Sequence, residues 1–320
     1  MKHFTLKSRR MLDNLLKTEI TYRKLSLVLG KSAGSICDEV NKNGGRSKYN
    51  PYLAEQRAQK NHLNCNKRSK LEISPGLKEY VIQKLRDDWS PEQISRDLRN
   101  QAKGKNILSH ETIYQFIYSE EGKFLKLWKH LRHRKRPERV AHGTRKSRIS
   151  RSQIPDRTPI SLRSYGAQKR TEPGHYEVDL MIFPKTKKVL AVFVDRCTRK
   201  TWAYFNDNKT ASIMADTIRH FVCETGQHNV KSLSFDNGTE NFYHHIVRDE
   251  FGTFQTFFCD PYCSWQKGTV ENTNKLLRQY FPRNINPNNL THENLQIALH
   301  KLNNRPRKCL NFMTPLFCSV

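Results

Sequence analysis

Apolar residues recur at helical spacing through residues 8–43, in two runs split by a glycine, LLKTEITYRKLSLVLG and KSAGSICDEVNKN. Setting Leu25, Leu29, Ile36 and Val40 on the inner side of two helices joined across Gly30, Lys31 and Ser32 predicts a helix-turn-helix. Ser32 is the expected N-cap, and the second helix would turn Lys31, Ser35, Asp38 and Lys42 outward. Gly34 inside that helix costs about 1 kcal/mol relative to alanine. A second unit of the same kind follows. WSPEQISRDL at 89–98 opens with Ser90 as N-cap, Pro91 at the first helical position and Glu92 in the first turn, and LSHETIYQFIY at 108–118 restarts at Ser109. Two such units in tandem predict a long, composite DNA site, with domains over 1–60 and 70–130.

The pattern changes near Glu172. HYEVDLMIF (175–183), KVLAVFVD (188–195) and TWAYFN (201–206) read as three strands joined by tight turns. Then come a helix (211–225), a strand (230–236), a helix (241–251), a strand (254–259) and a final helical stretch. The order β-β-β-α-β-α-β-α predicts an α/β ribonuclease-H-like domain over 172–320 with a mixed five-stranded sheet, after a mostly α N-terminal half.

Charge sharpens this division. The net charge is +27, yet residues 1–170 carry 39 Lys and Arg against 16 Asp and Glu, and the remaining 150 carry only 18 against 14. A basic half of this kind is expected to bind a polyanion. The run KHLRHRKRPERVAHGTRKSRISR at 129–151 holds ten Lys and Arg and one Glu, without apolar periodicity past Leu131. It reads as part of a phosphate-tracking linker over 131–171, in which Arg132, Arg134, Lys135, Arg136, Arg145, Lys146 and Arg148 are candidate DNA contacts. The longest apolar run, VLAVFV, is far below the ~18 residues of a membrane span, and the N-terminus is charged too early for a secretory leader, so an intracellular protein without membrane contact is expected. Eight cysteines show no CxxC pair and no zinc-finger spacing, which predicts reduced, mostly buried thiols; a metal site at Cys259 and Cys263 is disfavoured.

Candidate chemistry lies in carboxylates. Asp179 falls in the first predicted strand, Asp236 at the end of the fourth and Glu271 at the start of the helix after the fifth. In that topology the first and fourth strands are neighbours. Three convergent carboxylates suit hard, oxygen-seeking divalent ions, above all Mg²⁺, and two such ions can drive an in-line phosphoryl displacement. Other readings compete. Asp236 belongs to the turn signal Asp-Asn-Gly, Glu177 shares a strand face with Asp179, Asp195 ends the second strand, and Glu271 could simply favour the helix dipole. At ~100° per residue, Glu271, Asn274, Lys275 and Arg278 fall on one arc of their helix, a surface suited to a DNA backbone.

The segments GHYEVDL (174–180), FDNGTE (235–240), PYCSWQKGTVENTNKLLRQYFP (261–282) and LNNRPRKCLNFMTP (302–315), together with WSPEQI and ETIYQFIY, resemble the insertion sequence 30 family of bacterial DDE transposases over nearly the whole chain. The resemblance implies that Asp179, Asp236 and Glu271 are the catalytic, metal-binding triad, with two Mg²⁺ ions as cofactor and Mn²⁺ as a substitute. It implies that Asn272, Asn274 and Arg278 support the triad or hold DNA. The chain departs from the family at Asp38, where an Arg usually precedes the Glu. The expected activity is strand cleavage at the ends of a mobile element and transfer of the freed 3′-OH to target DNA. Expected partners are double-stranded DNA, as terminal inverted repeats and as target, and further copies of the chain in a homodimer or larger assembly, in a cytoplasmic, nucleoid-associated setting. The rival is a non-catalytic DNA-binding regulator on the same fold. A retroviral-type integrase would need an N-terminal zinc set, and the first 65 residues offer only His3, Cys37, His62 and Cys65.

Overall fold

A computed structural model of the chain describes residues 4–65, 69–132, 154–261 and 263–319, and the chain divides into two compact units at Ser74 and Pro75. No helix among the described residues is long and apolar enough to cross a membrane.

The first unit is helical: α1 (Leu6–Leu16), α2 (Tyr22–Leu29), α3 (Ala33–Lys42), α4 (Pro51–Cys65) and a short α5 (Lys70–Ile73). The first apolar run is two helices rather than one, because the chain turns after Leu16, where the Arg46 guanidinium donates to the carbonyls of Leu16, Thr18 and Ile20. The expected helix-turn-helix is formed by α2 and α3. Gly30 closes α2 in the left-handed conformation, φ 59°, and the Ser32 hydroxyl caps α3 by accepting from Ser35 N–H. Leu25, Ile36 and Val40 are fully buried with Leu12, and Leu29 packs against them. Arg9 is buried beneath this core and bonds Glu39 (2.7 Å) and Glu55 (2.5 Å), joining α1 to α3 and α4.

The second unit starts with α6 (Pro75–Arg86), α7 (Pro91–Gln101), α8 (His110–Tyr118) and α9 (Glu120–Phe124). The caps are the expected ones: Ser90 and Gln93 form a reciprocal capping box with Pro91 at the first position, and Ser109 caps α8. Val81, Leu85, Ile94, Leu98, Leu108, Ile113, Ile117 and Leu127 are buried around them. Gly122 lets α9 fold tightly onto α8, since a Cβ there would lie 2.1 Å from the Phe116 carbonyl oxygen.

After α10 (Tyr165–Lys169) the chain forms β1 (His175–Ile182), β2 (Val189–Asp195), β3 (Thr201–Asn206), α11 (Ala211–Thr225), β4 (Ser232–Phe235), α12 (His244–Phe251), β5 (Gln255–Phe258), α13 (Gly268–Leu277) and α14 (His292–Asn303). The sheet order is β3-β2-β1-β4-β5, with β1, β2 and β3 antiparallel and β1, β4 and β5 parallel, which is the ribonuclease-H-like arrangement. β2 is buried along its whole length because both faces of the sheet are covered. Ala191 and Phe193 pack with Ile218, Phe221 and Val222 of α11; Leu190, Val192 and Val194 pack with α13 and α14 through Val270, Leu277 and Leu299.

Two expectations change. Residues 154–171, read as part of a linker, pack on the sheet: Ile154 joins the α11 side of the core, Ile160 packs with Phe257 and Cys259, and Phe258 N–H donates to the Thr158 carbonyl at 2.9 Å. The described cysteines are free, as expected, but only Cys259 among them is buried, while Cys223 and Cys309 are exposed, because they fall on solvent-facing positions that spacing does not reveal.

His244 is buried at the start of α12, between Thr256 Oγ1 (2.9 Å) and the Pro155 carbonyl (2.8 Å), and burial lowers its pKa to about 4. The unfolded chain takes up that proton first, so stability is full above the ordinary histidine value of about 6.5 and falls as pH drops toward 4, by up to about 3 kcal/mol. Urea unfolding across this window should show the loss in the parent, and His244→Gln should flatten it. An unchanged slope in the variant would assign the effect elsewhere.

Candidate active site

Parallel pairing of β1 with β4 matches His175 to Ser232 and Glu177 to Ser234, an offset of 57 residues. The same offset carries Asp179 to Asp236, the residue that follows β4. The two aspartates therefore meet where parallel strands end, as the sequence predicted. Between them lies Lys267, which the sequence reading did not single out. Its Nζ is 3.2 Å from Asp179 Oδ1 and 3.7 Å from Asp236 Oδ2, and it donates to the Val178 carbonyl at 2.8 Å. Lys267 is only 7% exposed. Burial opposes its charge, but the two carboxylates outweigh this and hold its pKa above the ordinary lysine value. Burial pushes the Asp179 carboxyl up, Lys267 pulls it down, and the Asp236 charge adds to the rise, which prevails. Asn241 holds Asp236 in place by donating to its Oδ1 at 3.2 Å and to its carbonyl at 3.3 Å. Gly238 leaves room for the Glu240 carboxylate, whose Oε1 would sit 2.3 Å from a Cβ there. Burial first, and the Asp236 charge after it, raise the Glu240 carboxyl.

The competing carboxylates have other work. Glu177 is fully buried on the α13 side of β1, where it pairs with the Arg196 guanidinium and accepts from Val270 N–H at 2.9 Å. It satisfies one of the free amides in the first turn of α13 and pins that helix to the sheet. Asp195 accepts from Gly174, Cys197 and Thr198 N–H, each at 2.7 Å, and shapes the turn after β2.

Glu271 sits in the first turn of α13, as predicted, with its side chain half exposed and paired at 2.9 Å with Lys275 one turn on. No three Asp, Glu, His or Cys side chains are gathered closely enough to hold a metal ion among the described residues. Glu271 is thus not gathered with the aspartate pair: its carboxylate pairs with Lys275 on the outer face of α13, while Asp179 and Asp236 share the single charge of Lys267. Asn274, expected to support the triad or to hold DNA, donates to Asp179 Oδ2 at 2.6 Å, and its Oδ1 is buried without a hydrogen-bond partner. Arg278 lies 5.2 Å above the Phe183 ring and donates to the Ile182 carbonyl at 2.8 Å; it braces α13 against the end of β1. Asn272 is exposed, and Arg132 reaches its Oδ1 at 3.4 Å.

The donor chemistry fits a hard cation. Two aspartates stand in register with a positive charge already between them, and an orphaned amide oxygen lies on the residue that bonds Asp179.

On the first unit, Ser32 and Lys42 are exposed, Lys31 and Ser35 are half-buried, and the Lys31 ammonium lies 4.8 Å over the Phe4 ring. The exposed face of α8 carries His110, Glu111, Tyr114, Gln115 and Tyr118. Arg134, Lys135, Arg136, Arg145, Lys146 and Arg148 lie outside the described residues.

No protein-family model matches the chain. Among curated proteins it is 34% identical over 321 residues to the transposase InsI of insertion sequence element IS30A from Escherichia coli, covering 98% of this chain and 82% of that one. It is 30% identical over 316 residues to the transposase of element IS4351 from Bacteroides fragilis, covering 98% and 94%. It is also 30% identical over 318 residues to the transposase of element IS1086 from Cupriavidus metallidurans, covering 96% and 91%.

Replacing Glu177 by alanine leaves Arg196 buried without its charge partner and releases the first turn of α13. Urea unfolding should show a loss of about 3–5 kcal/mol, and hydrogen exchange should show α13 opening first. Parent-like stability would mean that the buried pair does not hold the helix.

Proposed function

The chain belongs to the insertion sequence 30 family of transposases, and from that membership and the aspartate pair we propose that it cuts and joins DNA strands at the ends of an insertion sequence. The helix-turn-helix units hold the terminal inverted repeats, and Asp179, Asp236 and Glu271 form the catalytic set. The observation that carries this reading is the placement of Asp179, on β1, beside Asp236, just after the neighbouring parallel strand β4, with the Lys267 ammonium shared between them. Such a site sets two carboxylates against one ammonium, and a DNA backbone approaching it brings more negative charge.

A divalent ion, Mg²⁺ or in its place Mn²⁺, would be held by the carboxylates and would supply Lewis-acid stabilisation of the entering and leaving oxygens. The chain supplies the rest. Asn241 fixes Asp236, Asn274 fixes Asp179, and Glu177 fixes the helix that brings Glu271. In the first step water adds to the phosphorus at the element end and the P–O3′ bond breaks, leaving a 3′-OH. In the second step that hydroxyl adds to a target phosphorus and displaces another 3′ oxygen, so one phosphodiester replaces another without a covalent protein intermediate. Joining two ends calls for two bound DNA sites, hence a homodimer or larger assembly. The basic half, with 39 Lys and Arg against 16 acids over 1–170, supports salt-sensitive DNA binding.

With labelled end DNA and Mg²⁺, the parent should release a strand with a free 3′-OH. Asp179→Asn, Asp236→Asn and Glu271→Gln should each lower the rate on the order of 10³-fold or more, equivalent to several kcal/mol of transition-state stabilisation, while end-DNA binding remains. Full activity in any of the three would remove that residue from the set. Salt-sensitive binding by a parent that never cuts would favour the regulator reading.

A further inference from the structure

Two sequence segments that the aspartate site does not use, WSPEQI at 89–94 and NNRPRK at 303–308, meet in the fold. Gln93 stands at the third position of α7. Its Oε1 accepts from Ser90 N–H (2.8 Å) and from Arg305 Nε (3.0 Å), and its Nε2 donates to the Pro306 carbonyl (2.5 Å). One amide therefore completes a helix cap and grips the segment after α14. Nearby, Asp88 is buried in the left-handed conformation, φ 64°, and its carboxylate takes His130 Nδ1 at 3.2 Å and Lys301 Nζ at 3.4 Å. Lys301 also donates to the Arg86 carbonyl at 3.0 Å. The far end is fixed to the sheet, because the Asn303 amide exchanges two 2.9 Å bonds with the backbone of Thr201 in β3.

This junction is built from directional bonds among buried and half-buried polar groups. Arg305 and Asp88 are 5% and 6% exposed, and burying charges is costly unless the geometry is specific. It joins the part of the unit that carries the exposed face of α8 to the domain that carries Asp179 and Asp236. Successive nucleotides of a strand lie about 3.4 Å apart along the duplex axis, so a slip of that size between reader and cutter moves the cut by one bond.

Resting on the proposed function, we infer that Gln93 and Asp88 are positioning residues that set the interval between the bases held by the second helix-turn-helix and the phosphodiester cut at the aspartate pair, and so decide where the strand is cut. They act through the junction and touch neither DNA nor the reacting atoms.

The test uses the full chain and surgical variants. Gln93→Glu keeps the acceptor for Ser90 and Arg305 but removes the donor to Pro306. Asp88→Asn removes the charge while keeping a residue that tolerates the left-handed backbone. On labelled end DNA with Mg²⁺, product 3′ ends are mapped at single-nucleotide resolution. The parent should cut at one bond, and the double variant should spread its products onto neighbouring bonds, with unchanged end-DNA affinity. Phe221→Leu, a core variant matched for thermal destabilisation, should lower the yield without moving the cut. If the double variant fails to fold, each single variant is read in the same way. A folded variant that cuts at the parent's single bond overturns the inference and leaves the proposed function standing. A parent that cuts nothing overturns both.

Discussion

The buried carboxylate of Glu177 is the contact on which the candidate site depends. It sits in the middle of β1, pairs with Arg196 and accepts the amide of Val270, so the strand that carries Asp179 and the helix that carries Glu271 are fastened at one point. A fully buried carboxylate is tolerated because both of its oxygens are engaged. Beside it, α13 is held to the sheet by apolar contacts of Val270, Leu276 and Leu277, which fix distance better than rotation, and by the Asn274 and Arg278 bonds to β1 farther along the helix. Lys267 immediately precedes that helix and Asn274 lies within it, so the rotation of α13 decides how both meet Asp179.

Around that anchor the electrostatics are arranged in tiers. The innermost is the Lys267 ammonium between two aspartates, nearly closed to water. Next come amides that orient without adding charge: Asn241 on Asp236 and Asn274 on Asp179. Outermost is the Glu271 and Lys275 pair, exposed and therefore worth little energetically. A side chain held so weakly turns easily, whereas the aspartates are constrained by strand register. Strand register accounts for the meeting of Asp179 and Asp236, and the exposure of Glu271 leaves its side chain room to turn relative to them.

The expected helix-turn-helix elements were legible because caps and periodicity are local. Ser32, Ser90 with Gln93, and Ser109 each announce a helix start through hydrogen bonds to amides within three residues. The split of the first apolar run was not legible, since it is caused by Arg46 reaching back to carbonyls at 16, 18 and 20 from some thirty residues away. The exposure of Cys223 and Cys309 likewise depends on which face of an element meets its neighbours.

By itself the sequence determined the order of elements, the five-stranded sheet, the uneven charge, and Asp179 and Asp236 as partners, because alternation and turn chemistry specify strands and the strand order specifies which are adjacent. Tertiary structure alone decided what each polar group touches. It assigned Glu177 to the helix anchor rather than the site, placed Lys267 between the aspartates, turned Asn274 inward and Arg278 onto Phe183, and brought Gln93 to Arg305 across more than two hundred residues. The physical reason is one of range. Backbone preferences and caps are satisfied within a turn or two of chain, whereas a buried charge must find its partner wherever the fold provides one.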